Sequence, residues 1–207
     1  RIDAILFDLG GVMIELAGVE RMLEWSPSLG TTDELWRRWL GSPAVRAYET
    51  GRTGRDVFAD AIIAEFGLPV DAETFLGEFA WWPRSLHPDA GALLASLASR
   101  YRLASLSNTN ELHWHRFARD WDLPALFHHN FPSFMVGKLK PDAEYFEHVL
   151  DALDIAADRA LFVDDNRINV EAARAVGLHA RQVPRFEALA PALAELGIHA
   201  AAPGSAR

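Results

Sequence analysis

From residue 83 onward the chain alternates short apolar runs with amphipathic stretches, and most of the apolar runs stop at a polar residue. Residues 101–106, 130–136, 160–163 and 179–182 read as strands. Residues 89–99, 112–119, 142–153, 168–176 and 186–196 read as helices. Pro141 stands near the start of 142–153, where its missing N–H matters least. Gly177 stops 168–176 as a glycine just past a helix end does. Far upstream, the apolar run 2–7 ends at Asp8 and then Gly10-Gly11, which reads as a buried strand stopping at a glycine turn. Repeated strand–helix units imply an α/β chain whose parallel sheet carries helices on both faces.

Residues 15–82 follow another pattern. Trp25, Trp36, Trp39, Tyr48, Phe58, Phe66, Phe75 and Phe79 recur at roughly helical spacings between Ser-Pro, Leu-Gly and Gly-Ser-Pro breaks. No convincing strand shows there, so the segment reads as an insertion of four or so helices. The expected division is a core of residues 1–14 and 83–207 with a helical domain of residues 15–82 inserted into it. Residues 201–207 read as a frayed tail.

With 207 residues, the chain can hold one core domain and a substantial insertion. Its net charge of −9 argues against a general nucleic-acid binder. An anionic small substrate stays possible, because a pocket can be positive on an acidic protein. The absence of cysteine excludes disulfides, thiol catalysis and cysteine–zinc sites. No apolar run reaches the ~18 residues needed to span a bilayer, so no membrane partner is expected. No secretory signal pattern precedes residue 2, and the cytosol is the expected location. The opening Arg1 suggests a trimmed or processed start. Oligomeric state is left open.

Ligands of open α/β sheets sit at the carboxyl ends of the strands. Asp8, Ser107 and the pair Asp164-Asp165 each follow directly on an apolar run, and Lys140 lies in the loop after another. A parallel sheet would bring all of them to one edge. Carboxylates suit Mg²⁺, which takes one or two acidic ligands beside substrate oxygens and water. The metal and the lysine would neutralise a phosphoryl group, with Ser107 and nearby N–H groups fixing its orientation. A positioned carboxylate could then attack phosphorus.

Four segments carry a resemblance to a known family. Phe7-Asp8-Leu9-Gly10-Gly11-Val12, Leu106-Ser107-Asn108-Thr109-Asn110, Gly137-Lys138-Leu139-Lys140-Pro141-Asp142 and Phe162-Val163-Asp164-Asp165-Asn166 resemble, in order, the four motifs of haloacid dehalogenase-like hydrolases. The wording is similar to a bacterial sugar-phosphate phosphatase branch and to the N-terminal lobe of epoxide hydrolases. The resemblance implies a Rossmann-like core with an inserted α-helical cap. It also implies a Mg²⁺-dependent phosphomonoesterase acting through an aspartyl phosphate on a small phosphorylated metabolite such as a sugar phosphate. It casts Asp8 as nucleophile and metal ligand, the carbonyl of Gly10 as a second ligand, and Asp165 as a third with Asp164 as ligand or orienter. Ser107 and the Asn108 amide would hold phosphate, and Lys140 would pair with phosphate and Asp8.

One position departs from the family pattern. Its phosphatases usually carry a second aspartate two residues after the nucleophile, as general acid and base, and here Gly10 stands there. The loss of such a group is typically worth ~10²–10⁴-fold in rate. Glu15 is the nearest acidic side chain downstream. Two alternatives follow: a metal-free 2-haloacid dehalogenase, against which the Asp164-Asp165 doublet argues, and a phosphate-binding protein of little activity. Elsewhere, His113-x-His115 and His128-His129 lack the spacing of a zinc helix. The aromatics of 15–82, Trp81-Trp82 included, read as core with some bordering a pocket. Arg84 and His87 are candidate substrate contacts, and Glu49 with Arg52 or Arg55 reads as a surface helix and turn.

Overall fold

The computed structural model describes residues 1–199; the tail read as frayed lies outside the described residues. In chain order the strands are β1 (Ala4–Phe7), β2 (Ile14–Leu16), β3 (Pro83–Leu86), β4 (Arg102–Ser107), β5 (His129–Pro132), β6 (Ala160–Asp164) and β7 (His179–Gln182). Five of them form one parallel sheet in the order β5-β4-β1-β6-β7. β1 lies at its centre because all four of its side chains are apolar and can be buried on both faces. Ile5 and Phe7 point to one face with Leu103, Leu161 and Val163; Ala4 and Leu6 point to the other with Ala104, Leu106 and Phe162.

Helices cover both faces. The insertion holds α1 (Glu20–Trp25), α2 (Thr32–Gly41), α3 (Pro43–Glu49), α4 (Arg55–Phe66) and α5 (Ala72–Phe79). There follow α6 (Ala90–Ala98), α7 (Glu111–Trp121), the single turn α8 (Ser133–Val136), α9 (Ala143–Leu153), α10 (Arg167–Ala175) and α11 (Leu189–Ala194). Leu94 and Leu97 of α6, Phe117 of α7 and Leu189 and Leu193 of α11 pack on the Ile5 face. Tyr145, Phe146 and Val149 of α9 with Val170 and Ala173 of α10 pack on the Leu6 face.

Three local expectations need correction. Residues 130–136 are not one strand: β5 ends at Pro132 and a helical turn follows. Proline has no N–H to extend the ladder. Residues 186–196 are not one helix but a 3-10 turn, Phe186–Ala188, leading into α11. Pro191 is tolerated only within a first helical turn, so the regular helix starts just before it. Finally, the insertion's edge carries a strand: β2 pairs antiparallel with β3, Ile14 opposite Leu86. A three-residue strand is too short to show an alternation.

The inserted helices have their own aromatic core. Trp39, Tyr48, Phe58, Phe75, Phe79 and Trp82 are buried together, with Tyr48 stacked on Phe58 at 4.3 Å between centroids. Contacts tie this layer to the sheet domain, three of them as follows. Arg46 of α3 forms an ion pair with Asp142 beside Lys140. Gly51, at φ +69°, lies so close to the Phe134 carbonyl that a Cβ would stand 2.4 Å from its oxygen. His113 of α7 bonds the Phe79 carbonyl at 2.7 Å.

Candidate active site

The parallel register places four chain segments at one edge of the sheet. Asp8 follows β1, Ser107 closes β4 with Asn108 next to it, and Asp164 closes β6 with Asp165 next to it. Lys140 reaches the same point from the loop between α8 and α9. Its Nζ donates to Asp8 Oδ1 at 2.6 Å, to Asp164 Oδ2 at 2.7 Å and to the Leu106 carbonyl at 2.9 Å. All three ammonium hydrogens are therefore used, as a buried cation requires.

Asn108 explains why the lysine stands there. Its Nδ2 donates to the Lys140 carbonyl at 2.8 Å, and its Oδ1 accepts from the Lys140 amide at 2.9 Å. This reciprocal pair clamps the Lys140 backbone to the end of β4. Lys138, two residues earlier, points away and pairs with Glu144 at 3.3 Å.

The acidic doublet divides its work. Asp164 is fully buried and its oxygens are occupied: besides Lys140, they accept from the Asn166 amide at 2.7 Å and from Asn169 Nδ2 at 3.0 and 3.1 Å. Among the described residues, no donor of another residue is hydrogen-bonded to the Asp165 carboxylate. Oxygens of Asp8, Asp164 and Asp165 nevertheless lie within 4.8 Å of one another. Gly11, at φ +74°, makes room for Asp165: a Cβ there would sit 2.3 Å from Asp165 Oδ2.

Three carboxylates facing one ammonium leave negative charge in excess, and the titration behaviour reflects it. Burial pushes Asp8 well above the usual carboxylate range; Lys140 opposes the rise, and Asp164 and Asp165 add to it. Burial and then Asp164 push Asp165 up to about 6. Burial pulls the Lys140 ammonium down, yet Asp164 and Asp8 outweigh it and raise it above the ordinary lysine value. Such an arrangement has the chemistry of a hard-cation site.

Asp8, Gly10, Ser107, Asn108, Lys140 and Asp165 line one cavity of about 510 Å³. Its opposite wall is built by the insertion, from Leu16, Trp36, Trp39, Leu40, Phe79 and Trp82. Glu49 also lines it, so this residue is not simply part of a surface turn. Burial pushes the Glu49 carboxyl up to about 7, against the charge of Lys140. Its sequence neighbourhood carries no signal of this, because only the fold of α3 over the sheet edge brings it near. Asn169 continues the fourth motif in the sequence, but its bond to Asp164 comes only from the fold.

Other candidates lie elsewhere. Glu15 is exposed in the ribbon and accepts from Ser85 Oγ at 3.0 Å. Arg84 is exposed, and His87 stacks on Phe186 at 3.8 Å between centroids; neither lines this cavity. His128 Nδ1 accepts from the Leu103 amide at 2.9 Å. His113 does reach the cavity wall, but both of its ring nitrogens are engaged, with Asn110 at 3.1 Å and with the Phe79 carbonyl.

Comparison with known proteins gives concordant findings. The family model described as hydrolase, haloacid dehalogenase-like hydrolase, matches residues 2–177. A sesquiterpene phosphatase from Aspergillus oryzae is 30% identical over 183 residues, covering 84% of this chain and 86% of its own. A haloacid dehalogenase family enzyme from Bacteroides thetaiotaomicron, in crystals with magnesium and inorganic phosphate, superposes with a TM-score of 0.72 at 25% identity, over 88% of this chain and 94% of its own. An L-2-haloacid dehalogenase from Xanthobacter autotrophicus, with chloropropionic acid covalently bound, gives 0.66 at 25% identity, over 96% and 84%.

Proposed function

Because this chain belongs to the haloacid dehalogenase-like hydrolases, we propose that it is a Mg²⁺-dependent phosphatase of small phosphomonoesters, with Asp8 as covalent nucleophile. The observation that carries this reading is the charge arrangement around Lys140. One ammonium bridges Asp8 and Asp164, and a third carboxylate, Asp165, stands beside them and, among the described residues, accepts no hydrogen bond from an N–H group of another residue.

The donor set fits Mg²⁺: hard carboxylate oxygens, gathered closely, with more negative charge than the one lysine balances. Asp8, Asp165 and the Gly10 carbonyl would hold it. Asp164, whose oxygens are taken by Lys140, Asn166 and Asn169, would orient its neighbours rather than bind. When bound, the ion would supply electrophilic stabilisation of the phosphoryl oxygens and keep Asp8 ionised. In the reaction, Asp8 attacks phosphorus, Ser107 and the Asn108 amide orient the phosphoryl oxygens, and Lys140 offsets their charge. Residues 1–14 and 83–207 act as the core, and residues 15–82 as a cap that closes off water. A sugar phosphate is the substrate that the resemblance suggests, and the cytosol is the location we favour.

The likeness to an L-2-haloacid dehalogenase gives a second reading. Displacing halide from carbon by a carboxylate needs no cation, and it leaves the crowding of three carboxylates without a purpose. The sesquiterpene phosphatase relative and the magnesium–phosphate neighbour support the phosphatase instead. The deciding assay is p-nitrophenyl phosphate hydrolysis with Mg²⁺. Wild type should turn over, and both EDTA and Asp8→Asn should abolish phosphate release. Wild-type rates equal to those of Asp8→Asn would make the chain a phosphate binder of no activity, as Gly10 suggests. Halide release from 2-chloropropionate in EDTA would make it a dehalogenase.

A further inference from the structure

We propose that the alcohol half of the substrate is bulky and largely apolar, an aliphatic chain rather than a polyol. The inference rests on the phosphatase reading and names its substrate class. Beyond the charged end, the cavity is walled by Leu16, Trp36, Trp39, Leu40, Phe79 and Trp82. Leu16 and Leu40 are 42% and 59% exposed at its border, so apolar surface there stands open to solvent. Polar groups on this side are few. His113 has both ring nitrogens engaged, which leaves the Glu49 carboxyl, the Thr109 hydroxyl and the indole N–H groups of Trp36, Trp39 and Trp82 among the lining side chains. A sugar would bury several hydroxyls against a wall that is mostly hydrocarbon and ring face, and every unmatched one weakens binding. An aliphatic chain loses nothing there and gains roughly fourfold in affinity per methylene buried.

The test compares decyl, butyl, glucose-6- and p-nitrophenyl phosphates with Mg²⁺, the decyl ester below its micellar concentration. Expected is a kcat/KM for decyl phosphate at least roughly a hundredfold above those for butyl phosphate and glucose 6-phosphate. Tryptophan fluorescence should also report tighter binding of decylphosphonate than of methylphosphonate, without turnover. Leu40→Gln should lower kcat/KM more for the decyl than for the butyl ester. If p-nitrophenyl phosphate is hydrolysed but glucose 6-phosphate matches decyl phosphate, the apolar assignment is wrong and the phosphatase reading stands. Should no ester release phosphate, the phosphatase reading fails and this one with it.

A different observation carries a second inference: we infer that Glu49 gives and takes the proton that position 10 cannot handle. Gly10 has no side chain, and the space a Cβ would enter is bordered by Leu16 Cδ1 at 2.8 Å, a methyl group. Glu49 lines the same cavity as Asp8, Gly10 and Lys140. Among the described residues, its carboxyl has no hydrogen-bond or ion-pair partner. The Arg46–Asp142 ion pair and the close approach of Gly51 to Phe134 hold its end of α3 against the core. Lys140, Asp8, Asp165 and His113 line the same cavity, and Lys140 is the charge that acts on it. Arg46 is committed to Asp142, and Arg55 and Asp56 of α4 lie within 3.7 Å of each other. A carboxyl raised to about 7 can work in both directions near neutrality.

In the first step an Asp8 oxygen bonds phosphorus, the bond from phosphorus to the ester oxygen breaks, and that oxygen takes the Glu49 proton. In the second, water attacks phosphorus, gives a proton back to Glu49, and the acyl phosphate bond breaks to free phosphate and the Asp8 carboxylate. Glu49→Gln should therefore release decanol at least about a hundredfold more slowly than wild type. With p-nitrophenyl phosphate, whose leaving group needs no acid, it should show a burst of about one p-nitrophenol per protein. Wild-type decyl phosphate hydrolysis should lose activity as pH rises past about 7, a limb absent from Glu49→Gln and present in a partly active Glu49→Asp. The Gln variant should melt no lower than wild type, since it removes a desolvated carboxyl without a partner. Equal losses on both esters without a burst, or an unchanged pH limb in Glu49→Gln, would overturn the assignment.

Discussion

Replacing Lys140 by Met would leave Asp8 and Asp164 facing each other with no cation between them. Both carboxylate oxygens bonded to its Nζ are in a desolvated setting, with Asp164 fully buried. Removing one partner from such a cluster typically costs ~3–5 kcal/mol. We expect a loss of that order in urea denaturation without Mg²⁺, and a loss within experimental error would show that water reaches the cluster. Gly11 acts through backbone and space together. Gly11→Ala meets a φ of +74° and a carboxylate oxygen 2.3 Å from its new methyl. We expect roughly 1–2 kcal/mol of lost stability and weaker Mg²⁺ binding by calorimetry, since Asp165 must turn away. Unchanged Mg²⁺ affinity would show that Asp165 has no part in holding the ion. Most of these residues could be picked out as a sequence, because each follows an apolar run. The role of Asn108 in clamping Lys140 could not, since the two are 32 positions apart.

Between elements, α7 is fastened to the insertion by a histidine that must stay neutral. His113 caps into its own helix, its amide bonding Asn110 Oδ1 at 3.1 Å, while its Nε2 bonds the Phe79 carbonyl. That leaves Nδ1 to accept from Asn110 Nδ2, a tautomer assigned from the network. A second proton would set N–H against N–H. Burial accordingly pulls its pKa down to about 4; the Phe79 carbonyl opposes the shift and Arg116 adds to it. A base whose pKa is lower folded than unfolded contributes fully above its unfolded value of ~6.5 and loses that contribution as pH falls towards the folded one. The loss is on the order of 3 kcal/mol at most. Denaturation at a series of pH values should show wild type weakening more steeply than His113→Gln between pH 6.5 and 4. Parallel curves would mean that the histidine is solvated. From the sequence, α7 was legible as an amphipathic stretch, but its one buried histidine looked like its exposed neighbours, His115 included. The β2–β3 ribbon was missed for a related reason: its partners are some 70 residues apart and each is too short to show a period.

At the scale of the whole molecule, two packed layers meet over one cavity. The sheet domain and the aromatic core of the helices bury separate clusters. The bonds between them range from buried ones, such as His113 to the Phe79 carbonyl, to the exposed pair Arg46–Asp142, whose side chains are 45% and 39% accessible. A pair that open to solvent contributes little. Arg46→Ala should cost less than about 1 kcal/mol in thermal or urea melts, and a larger loss would make this pair central to the docking of the helices. The sequence alone determined the α/β order, the polar residues at the strand ends and the helical nature of the insertion, because these follow from local periodicity and from where apolar runs stop. Tertiary structure alone decided which carboxylate is free and which is occupied, that Glu49 belongs to the cavity, and which of the aromatics wall it. These depend on side chains far apart in the chain converging on the same few ångströms. Burial and unlike neighbours then set charge and hydrogen bonding, which no local pattern encodes.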